Sequence, residues 1–309
     1  MPYTAGRPSL WYERRGGGEP LLLITGFGIS GAVFEPVLDA HAQRFHCIAY
    51  DNRGAGRSQA PLRPMSMPEL AADAVALLDD LSIDSAHVYG VSMGGMIAQE
   101  IAVRFPDRVR GLVLGCTSPG GPRAVRPTLG AVRVVAAAAA GSGRSPLQGG
   151  LAACLFSARF RREEPERVRF LLEHFRRHLP PPHGVAGQFW ASAFHDTVGR
   201  LDQIQAPTLV PHGEKDVMAP LENARMLARD IPDAELAIVA GAGHAYALER
   251  PAEAFAALAT WFDRHAPIAP GAPRTGLTAR VEPMTRALGL PIGALRTGAS
   301  LIALARERV

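Results

Sequence analysis

The first third of the chain alternates short apolar runs with longer stretches in which apolar residues recur every three or four positions. One such stretch is 33–44. Another, 68–81, is preceded by Ser66, and Glu69 lies three residues after this serine, which is the spacing of a capping box at the start of a helix. The apolar runs are nearly continuous, as expected for strands with helices on both faces; they are 21–25, 47–51, 87–91 and 111–116. The pattern predicts an α/β fold with a mostly parallel, twisted sheet between helical layers.

The alternation is interrupted between residues 119 and 198. This part contains an alanine-rich segment, an arginine-rich segment and three consecutive prolines from Pro180, a composition typical of a helical insertion. Strand and helix patterns then return in turn at 207–212, 219–230, 235–240 and 252–265. We therefore predict an α/β core formed by residues 1–118 and 199–265, with residues 119–198 as a helical cap.

Both ends of the chain carry patterns of their own. A short strand pattern at 9–14 and the glycines 16–18 precede the first buried run, which predicts an antiparallel hairpin at the sheet edge. Residues 266–309 begin with a linker rich in proline and alanine and continue with apolar residues at helical spacing among arginines. We expect a helical tail that contacts a second copy of the chain. The alternatives are that the tail contacts an anionic membrane, packs against its own domain or is a frayed end.

Composition narrows the class of protein. With 309 residues and 47% hydrophobic content, the chain can bury a large core. The start of the chain has no apolar leader, and no window approaches the roughly 18 apolar residues of a membrane span, so we expect a cytoplasmic protein. The net charge of +4 comes from scattered arginines, which predicts no nucleic-acid partner. Three distant cysteines indicate neither a disulfide framework nor a metal site.

The strongest chemical signal is Gly90-Val91-Ser92-Met93-Gly94, a G-x-S-x-G motif at the junction of a predicted strand and a predicted helix. Small residues around a serine allow the sharp turn that exposes its hydroxyl above the sheet. An ordinary strand-to-helix loop would also use glycine and serine, so the motif alone leaves both interpretations open. The distinction depends on whether a base and an orienting acid follow at later strand ends.

Both partners follow in the expected order. Asp216 lies in the loop after the strand pattern at 207–212, and His244 lies in the loop after the pattern at 235–240. The chain order serine, aspartate, histidine is the order in α/β-hydrolases and differs from that in the chymotrypsin and subtilisin folds. The three residues predict a catalytic triad in which Ser92 is the nucleophile, His244 the base and Asp216 the group that orients the base.

An oxyanion hole requires two convergent N–H donors, one from the residue after the serine and one from a loop after an early strand. Met93 supplies the first position. Phe27, which lies between Gly26 and Gly28 after the run 21–25, supplies the second. These motifs predict that the amides of Phe27 and Met93 stabilise the tetrahedral intermediate.

With these motifs in place, residues 9–265 resemble the α/β-hydrolase fold family, and within it small capped serine hydrolases such as 3-oxoadipate enol-lactonases and aclacinomycin methylesterases. Further marks of the resemblance are the segments 51–58 and 201–210. The chain departs from the family at Thr25, where histidine is usual, and at Pro211, where an aliphatic residue is usual. The resemblance implies hydrolysis of a small-molecule carboxylic ester or lactone through an acyl-enzyme, without a cofactor.

The predicted substrate pocket is largely apolar, which favours a substrate with an apolar or aromatic body. Trp190 and Phe194 are assigned to the pocket because cap insertions in this family cover the serine, although both residues could instead form the core of the cap. The predicted substrate-binding residues are Gly26, Gly28, Ile29, Met96, Trp190, Phe194, Met218 and Tyr246.

Other interpretations remain open at this point. The same triad serves cofactor-free haloperoxidases or perhydrolases, C–C bond hydrolases and acyltransferases, and a non-catalytic ligand receptor is the alternative from another class. The remaining histidines, His87, His195 and His212 among them, lack metal-ligand spacing, so no metal is predicted. Asp51 and Arg53 are interpreted as a pair that fixes the turn after a strand.

Overall fold

The computed structural model describes residues 3–139, 146–176 and 178–265. Seven strands in this part of the chain form one sheet: β1 Tyr12–Arg15, β2 Glu19–Ile24, β3 Phe45–Tyr50, β4 Ala86–Val91, β5 Val109–Gly115, β6 Thr208–Gly213 and β7 Ala234–Val239. Their spatial order is β1-β3-β2-β4-β5-β6-β7. All neighbours are parallel except β1 and β3. The predicted α/β fold with a mostly parallel sheet is confirmed.

Helices pack on both faces of this sheet. The α-helices in the described part of the chain are α1 Glu35–Ala42, α2 Met67–Asp80, α3 Met93–Arg104, α4 Leu129–Ala139, α5 Pro146–Leu155, α6 Ala158–Glu163, α7 Pro165–Phe175, α8 Pro182–Ala193, α9 Leu221–Asp230, α10 Tyr246–Glu249 and α11 Pro251–His265. The predicted capping box is present, because the Ser66 side chain accepts from the Glu69 amide and the Glu69 side chain accepts from the Ser66 amide.

The alternation of side chains along each strand divides the core into two layers. In β2, Leu22 and Ile24 pack with α2, α3 and α9 on one face of the sheet. Leu21 and Leu23 pack with α1 and α11 on the other face. All four side chains are fully buried, which explains why the strand reads as one continuous apolar run.

Helices α4 to α8 lie between β5 and β6 in the chain, within the predicted insertion at 119–198. The division into core and cap at residues 118 and 199 stays a prediction. The predicted linker and tail at 266–309, with the proposed contact to a second copy, lie outside the described residues. Among the described helices, none has the length and apolar character needed to cross a membrane.

The predicted hairpin between the first two strands is wrong. β1 is an antiparallel edge strand, but its partner is β3, which lies between β1 and β2. The glycine segment crosses the end of β3 instead of forming a tight turn: a Cβ on Gly16 would lie 2.3 Å from the Ala42 carbonyl oxygen and 2.4 Å from that of Phe45. Gly16 also has a φ of 81°, so this crossing requires glycine.

A buried carboxylate joins the loops that follow β2 and β3. Asp51 is fully buried and accepts hydrogen bonds from Ser30 Oγ at 2.7 Å, the Gly31 amide at 2.6 Å and the Arg57 amide at 2.7 Å. Arg57 Nε also donates to Asp51 at 2.9 Å, which compensates the buried charge. These bonds hold the loop after β2 against the loop after β3.

The structure corrects the interpretation of Asp51 and Arg53 as a pair. Arg53 Nε instead donates to Asp73 Oδ2 of α2 at 2.7 Å. Asp51 and Arg53 have different partners, because the Asp51 carboxylate already forms an ion pair with Arg57. Both residues therefore stabilise loops, but through separate ion pairs.

We expect Asp51→Ala to lower the free energy of unfolding by about 3–5 kcal/mol, because the substitution leaves buried donors and Arg57 without their acceptor. Denaturant unfolding measures the change. The matched control is Asp39→Ala, which removes an exposed ion pair to Arg15 and should cost about 1 kcal/mol or less. Equal losses for the two variants would contradict the role given to the Asp51 network.

Candidate active site

Ser92 lies at a sharp turn between β4 and α3. Its φ of 56° and ψ of −120° are unusual for a residue with a side chain, and such a conformation costs on the order of 1–3 kcal/mol. Two hydrogen bonds hold it: the Ser92 amide donates to the Gly115 carbonyl at 2.9 Å, and Thr117 Oγ1 donates to the Ser92 carbonyl at 2.7 Å. The strained turn therefore depends on the end of the neighbouring strand β5.

The glycines of the motif permit close backbone approach on both sides of Ser92. A Cβ on Gly94 would lie 2.2 Å from the Ile24 carbonyl oxygen, and one on Gly90 would lie 2.1 Å from the Gly94 carbonyl oxygen. A side chain at either position would thus push α3 away from β2 and β4. The spacing of the motif follows from this packing.

Asp216 and His244 meet beyond the ends of β6 and β7. His244 Nδ1 donates to Asp216 Oδ2 at 2.8 Å. The other carboxylate oxygen, Oδ1, accepts from the Met218 amide at 2.8 Å and from the Ala219 amide at 2.9 Å. The Asp216 side chain is fully buried, so these bonds fix its orientation. The arrangement leaves His244 Nε2 as the nitrogen that can accept a proton.

A second histidine supports this loop. His212 Nε2 donates to the Ala219 carbonyl at 2.7 Å and lies 3.4 Å from Asp216 Oδ2. Burial lowers the pKa of His212, which favours the neutral ring. Sequence reasoning gave His212 only a general structural role; its position four residues before Asp216 was the available signal.

Ser92 and His244 line the same cavity, which has a volume of about 460 Å³. In the described residues, no hydrogen bond joins Ser92 Oγ to His244, as is common for catalytic groups without substrate. Asp216 is behind His244 and orients it. The structure thus brings a strained serine and an oriented histidine to one wall of a single cavity.

The loop after β2 passes directly over Ser92. A Cβ on Gly26 would lie 3.2 Å from Ser92 Cβ, so a larger residue would crowd the serine. The Thr25 hydroxyl donates to the Ile29 carbonyl at 2.9 Å, which closes the loop internally. Thr25 therefore supports the loop without the histidine that is usual in the family. Phe27 lies at the centre of this loop.

Two buried amides that sequence reasoning missed anchor the same loop. Asn52 Nδ2 donates to the Thr25 carbonyl at 3.0 Å. Gln188 of α8 accepts from the Gly28 amide at 2.8 Å and donates to the Arg53 carbonyl at 2.8 Å. Gln188 was visible only as a polar residue in an otherwise apolar segment, and that signal did not reveal its partners.

The other predicted oxyanion donor, Met93, is the first residue of α3. Its amide belongs to the first turn, where N–H groups have no carbonyl partner within the helix. The helix dipole also favours negative charge at this end. The position of Met93 is therefore compatible with an oxyanion hole, and its role stays a prediction together with that of Phe27.

Five of the eight predicted substrate-binding residues line the cavity: Gly26, Gly28, Ile29, Met218 and Tyr246. The predicted oxyanion donor Phe27 lines the same cavity. Most of the remaining wall is apolar and comes from both the sheet layer and the segment between β5 and β6. The apolar character of the predicted pocket agrees with this wall.

The structure corrects the other three assignments. Met96 of α3 packs against the core cluster that contains the buried side chains of α2, while Trp190 and Phe194 are 51% and 69% exposed and contact each other with ring centroids 4.6 Å apart. Small residues of α8 face inward instead: a Cβ on Gly184 would lie 2.3 Å from the Gly54 carbonyl oxygen. Close packing of this glycine face turns the aromatic residues outward.

The three cysteines of the chain are all buried, and two of them, Cys116 and Cys154, line the cavity. Cys47, Cys116 and Cys154 are free and buried. Burial raises the pKa of Cys116, which disfavours a reactive thiolate. Across residues 3–139, 146–176 and 178–265, no cluster of three or more His, Cys, Asp or Glu side chains could hold a metal ion.

Comparison with known proteins agrees with this architecture. A putative carbamate hydrolase RutD from Azorhizobium caulinodans is 31% identical over 257 residues, covering 81% of this chain and 94% of the relative. A poly(3-hydroxyalkanoate) depolymerase from Ectopseudomonas oleovorans is 32% identical over 246 residues, covering 77% of this chain and 81% of the relative. The relatives named here are hydrolases.

A solved structure and a family description lead to the same conclusion. The enol-lactonase from Burkholderia xenovorans LB400 superposes with a TM-score of 0.76 at 26% identity, covering 84% of this chain and 99% of that one. The family model described as alpha/beta hydrolase fold matches residues 19–251. The chain therefore belongs to the α/β hydrolase fold family.

Proposed function

We propose that the protein is a serine hydrolase that cleaves a carboxylic ester or lactone with an apolar or aromatic body through an acyl-enzyme. The observation that carries the proposal is the strained Ser92, which shares a cavity with a His244 oriented by Asp216. Strain at a non-glycine residue persists where the surrounding structure enforces it, and such residues cluster at active sites.

The mechanism follows from these positions. His244 Nε2 takes the proton of Ser92 Oγ, which bonds to the substrate carbonyl carbon and forms a tetrahedral oxyanion. The amides of Phe27 and Met93 donate to this oxyanion. His244 then protonates the leaving alcohol oxygen, the C–O bond breaks and the acyl-enzyme remains. Water, deprotonated by His244, releases the acid and restores Ser92.

Asp216 has a defined part in this sequence. Its Oδ1 is occupied by two backbone amides, so Oδ2 is the oxygen available to His244. The carboxylate keeps the proton of neutral His244 on Nδ1 and stabilises the imidazolium that forms during attack. His212 positions the Asp216 loop and does not act on substrate.

The wall of the cavity supports an apolar substrate. Phe27, Ile29 and Val33 line it near Ser92, and Leu151 and Leu155 line it from the segment between β5 and β6. Such a wall stabilises a ligand by roughly 25 cal/mol for each Å² of apolar surface removed from water. A carbamate, the substrate class in the name of one relative, is our second candidate because it would react at the same serine.

We expect Ser92→Ala to lower kcat toward esters by roughly 10⁴- to 10⁶-fold, because the nucleophile is lost. Ester hydrolysis and labelling by a fluorophosphonate probe measure the effect, and the wild-type protein should react stoichiometrically at Ser92. The control is Ser85→Ala, which removes an exposed hydroxyl that contacts Arg110 and should retain activity and labelling. Turnover by Ser92→Ala at the wild-type rate would refute the assignment, and an unlabelled wild-type protein would favour a receptor.

We expect Asp216→Asn to lower kcat by about 10⁴-fold while the protein remains folded. The Met218 and Ala219 amides require an oxygen at one side-chain position, so the new NH₂ group faces His244 Nδ1 and moves the histidine proton to Nε2. Kinetics and circular dichroism test this together. Glu214→Gln, in the same loop but exposed, is the control; if the two variants lose equal activity, the orienting role of Asp216 is wrong.

A substrate panel tests the reaction class. We expect apolar esters and lactones to be cleaved with higher kcat/KM than short charged esters, because short charged esters leave the apolar wall unfilled. Peroxide-dependent halogenation, C–C cleavage and acyl transfer to alcohols are measured on the same samples. Preference for short charged esters would contradict the substrate class but not the role of Ser92.

A further inference from the structure

The cavity at Ser92 continues into the core, between α1 and α11. Its wall includes Val37 and His41 of α1, Tyr89 of β4, and Phe255 and Leu258 of α11. We call the part of the cavity lined by these five residues the inner chamber. It lies on the face of the sheet that carries Leu21 and Leu23, below the space shared with the segment between β5 and β6.

The spacing of wall residues along α11 and β4 indicates the length of the inner chamber. α11 contributes wall residues from Pro251 to Leu258, and this interval advances a helix by about 10 Å. Tyr89 of β4 precedes Ser92 by three positions, which corresponds to about 10 Å in an extended chain. The wall residues therefore extend over about 10 Å along each element.

Aromatic packing closes the far end of the chamber. The His41 ring lies 6.3 Å from the Tyr89 ring and 5.5 Å from the Phe255 ring. Beyond them, Phe45 and Phe262 pack at 4.7 Å between centroids, and neither belongs to the cavity wall. Arg44, two residues after the end of α1, forms an ion pair with Asp263 of α11 at 2.6 Å, which joins the two elements there.

The groups inside the chamber are uncharged. Burial lowers the pKa of His41 to about 4, so the ring is neutral near pH 7. The Tyr89 and Tyr246 hydroxyls lie 3.0 Å apart and bond to each other. A charged ligand group would find no counter-charge from these residues and would lose its hydration. The chamber therefore suits an uncharged chain.

The closed far end of the inner chamber indicates which part of an ester it can bind. During turnover the alcohol must leave and water must enter, whereas the acyl group stays bonded to Ser92 until the second step. A dead end below the serine suits the group that stays. In an extended chain, three bonds span about 3.8 Å. An acyl chain therefore needs about eight bonds to extend over the roughly 10 Å of the chamber.

From this geometry we infer that the inner chamber binds a linear, uncharged acyl chain of about eight carbons, whose carbonyl is attacked by Ser92. The inference rests on the proposed function and specifies its substrate class. Each methylene that enters the chamber should raise kcat/KM by about fourfold, until the chain reaches His41 and Leu258.

The test uses p-nitrophenyl esters of linear acids from acetyl to dodecanoyl with the full-length protein. We expect kcat/KM to rise from acetyl to octanoyl by about fourfold per methylene and then to level off. Val37→Phe fills the middle of the chamber and should lower the octanoyl-to-acetyl ratio of kcat/KM by about 100-fold, the equivalent of three to four methylenes. The control Val132→Phe, on an exposed position of α4, should leave this ratio unchanged.

A second variant acts in the opposite direction and does not add volume to the core. His41→Ala removes the floor and should move the preferred chain from octanoyl toward dodecanoyl. If wild type shows no rise with chain length, or if neither variant shifts the preferred length, the inference is wrong while the hydrolase proposal stands. If no ester of any length is cleaved and Ser92 does not react with fluorophosphonate, the proposed function itself fails.

Discussion

The unusual backbone conformation of Ser92 is the constraint on which the rest of the structure depends. It exists because β2, β4 and α3 approach one another at glycine positions where a Cβ would meet backbone atoms at 2.1–2.2 Å. The ends of β2, β6 and β7 then carry the loops that surround the serine. The sheet that enforces the conformation of Ser92 therefore also positions the loops that carry Phe27, Asp216 and His244.

The triad residues and their order along the chain could be predicted from the sequence. Each residue follows its own strand, and the carboxyl ends of parallel strands lie at the same edge of a sheet. Ser92, Asp216 and His244 were visible for this reason. The partner of β1 was not, since the crossing at Gly16 depends on atoms of the distant Ala42 and Phe45. Contacts between residues that are distant in the sequence cannot be predicted from local sequence patterns.

The segment between β5 and β6 shows the same limit of prediction at the site. Helix α8 is apolar nearly throughout, so its sequence did not reveal which face turns inward. Contacts of Gly184 with Gly54 determine the outcome, and they place Trp190 outside and Gln188 inside. The depth of the cavity likewise depends on how α1 and α11 are separated, a tertiary property that neither helix specifies alone.

Two buried side chains fasten the segment between β5 and β6 to the loops of the site. Gln188 binds the loop that carries Gly28, and Glu249 accepts from both the Ser157 amide and the Gly243 amide at 3.0 Å. A large outward swing of this segment would break these bonds and release the loops beside Phe27 and His244. The position of this segment and the geometry of the loops beside Phe27 and His244 are therefore coupled through buried hydrogen bonds, so that a change in one would disturb the other.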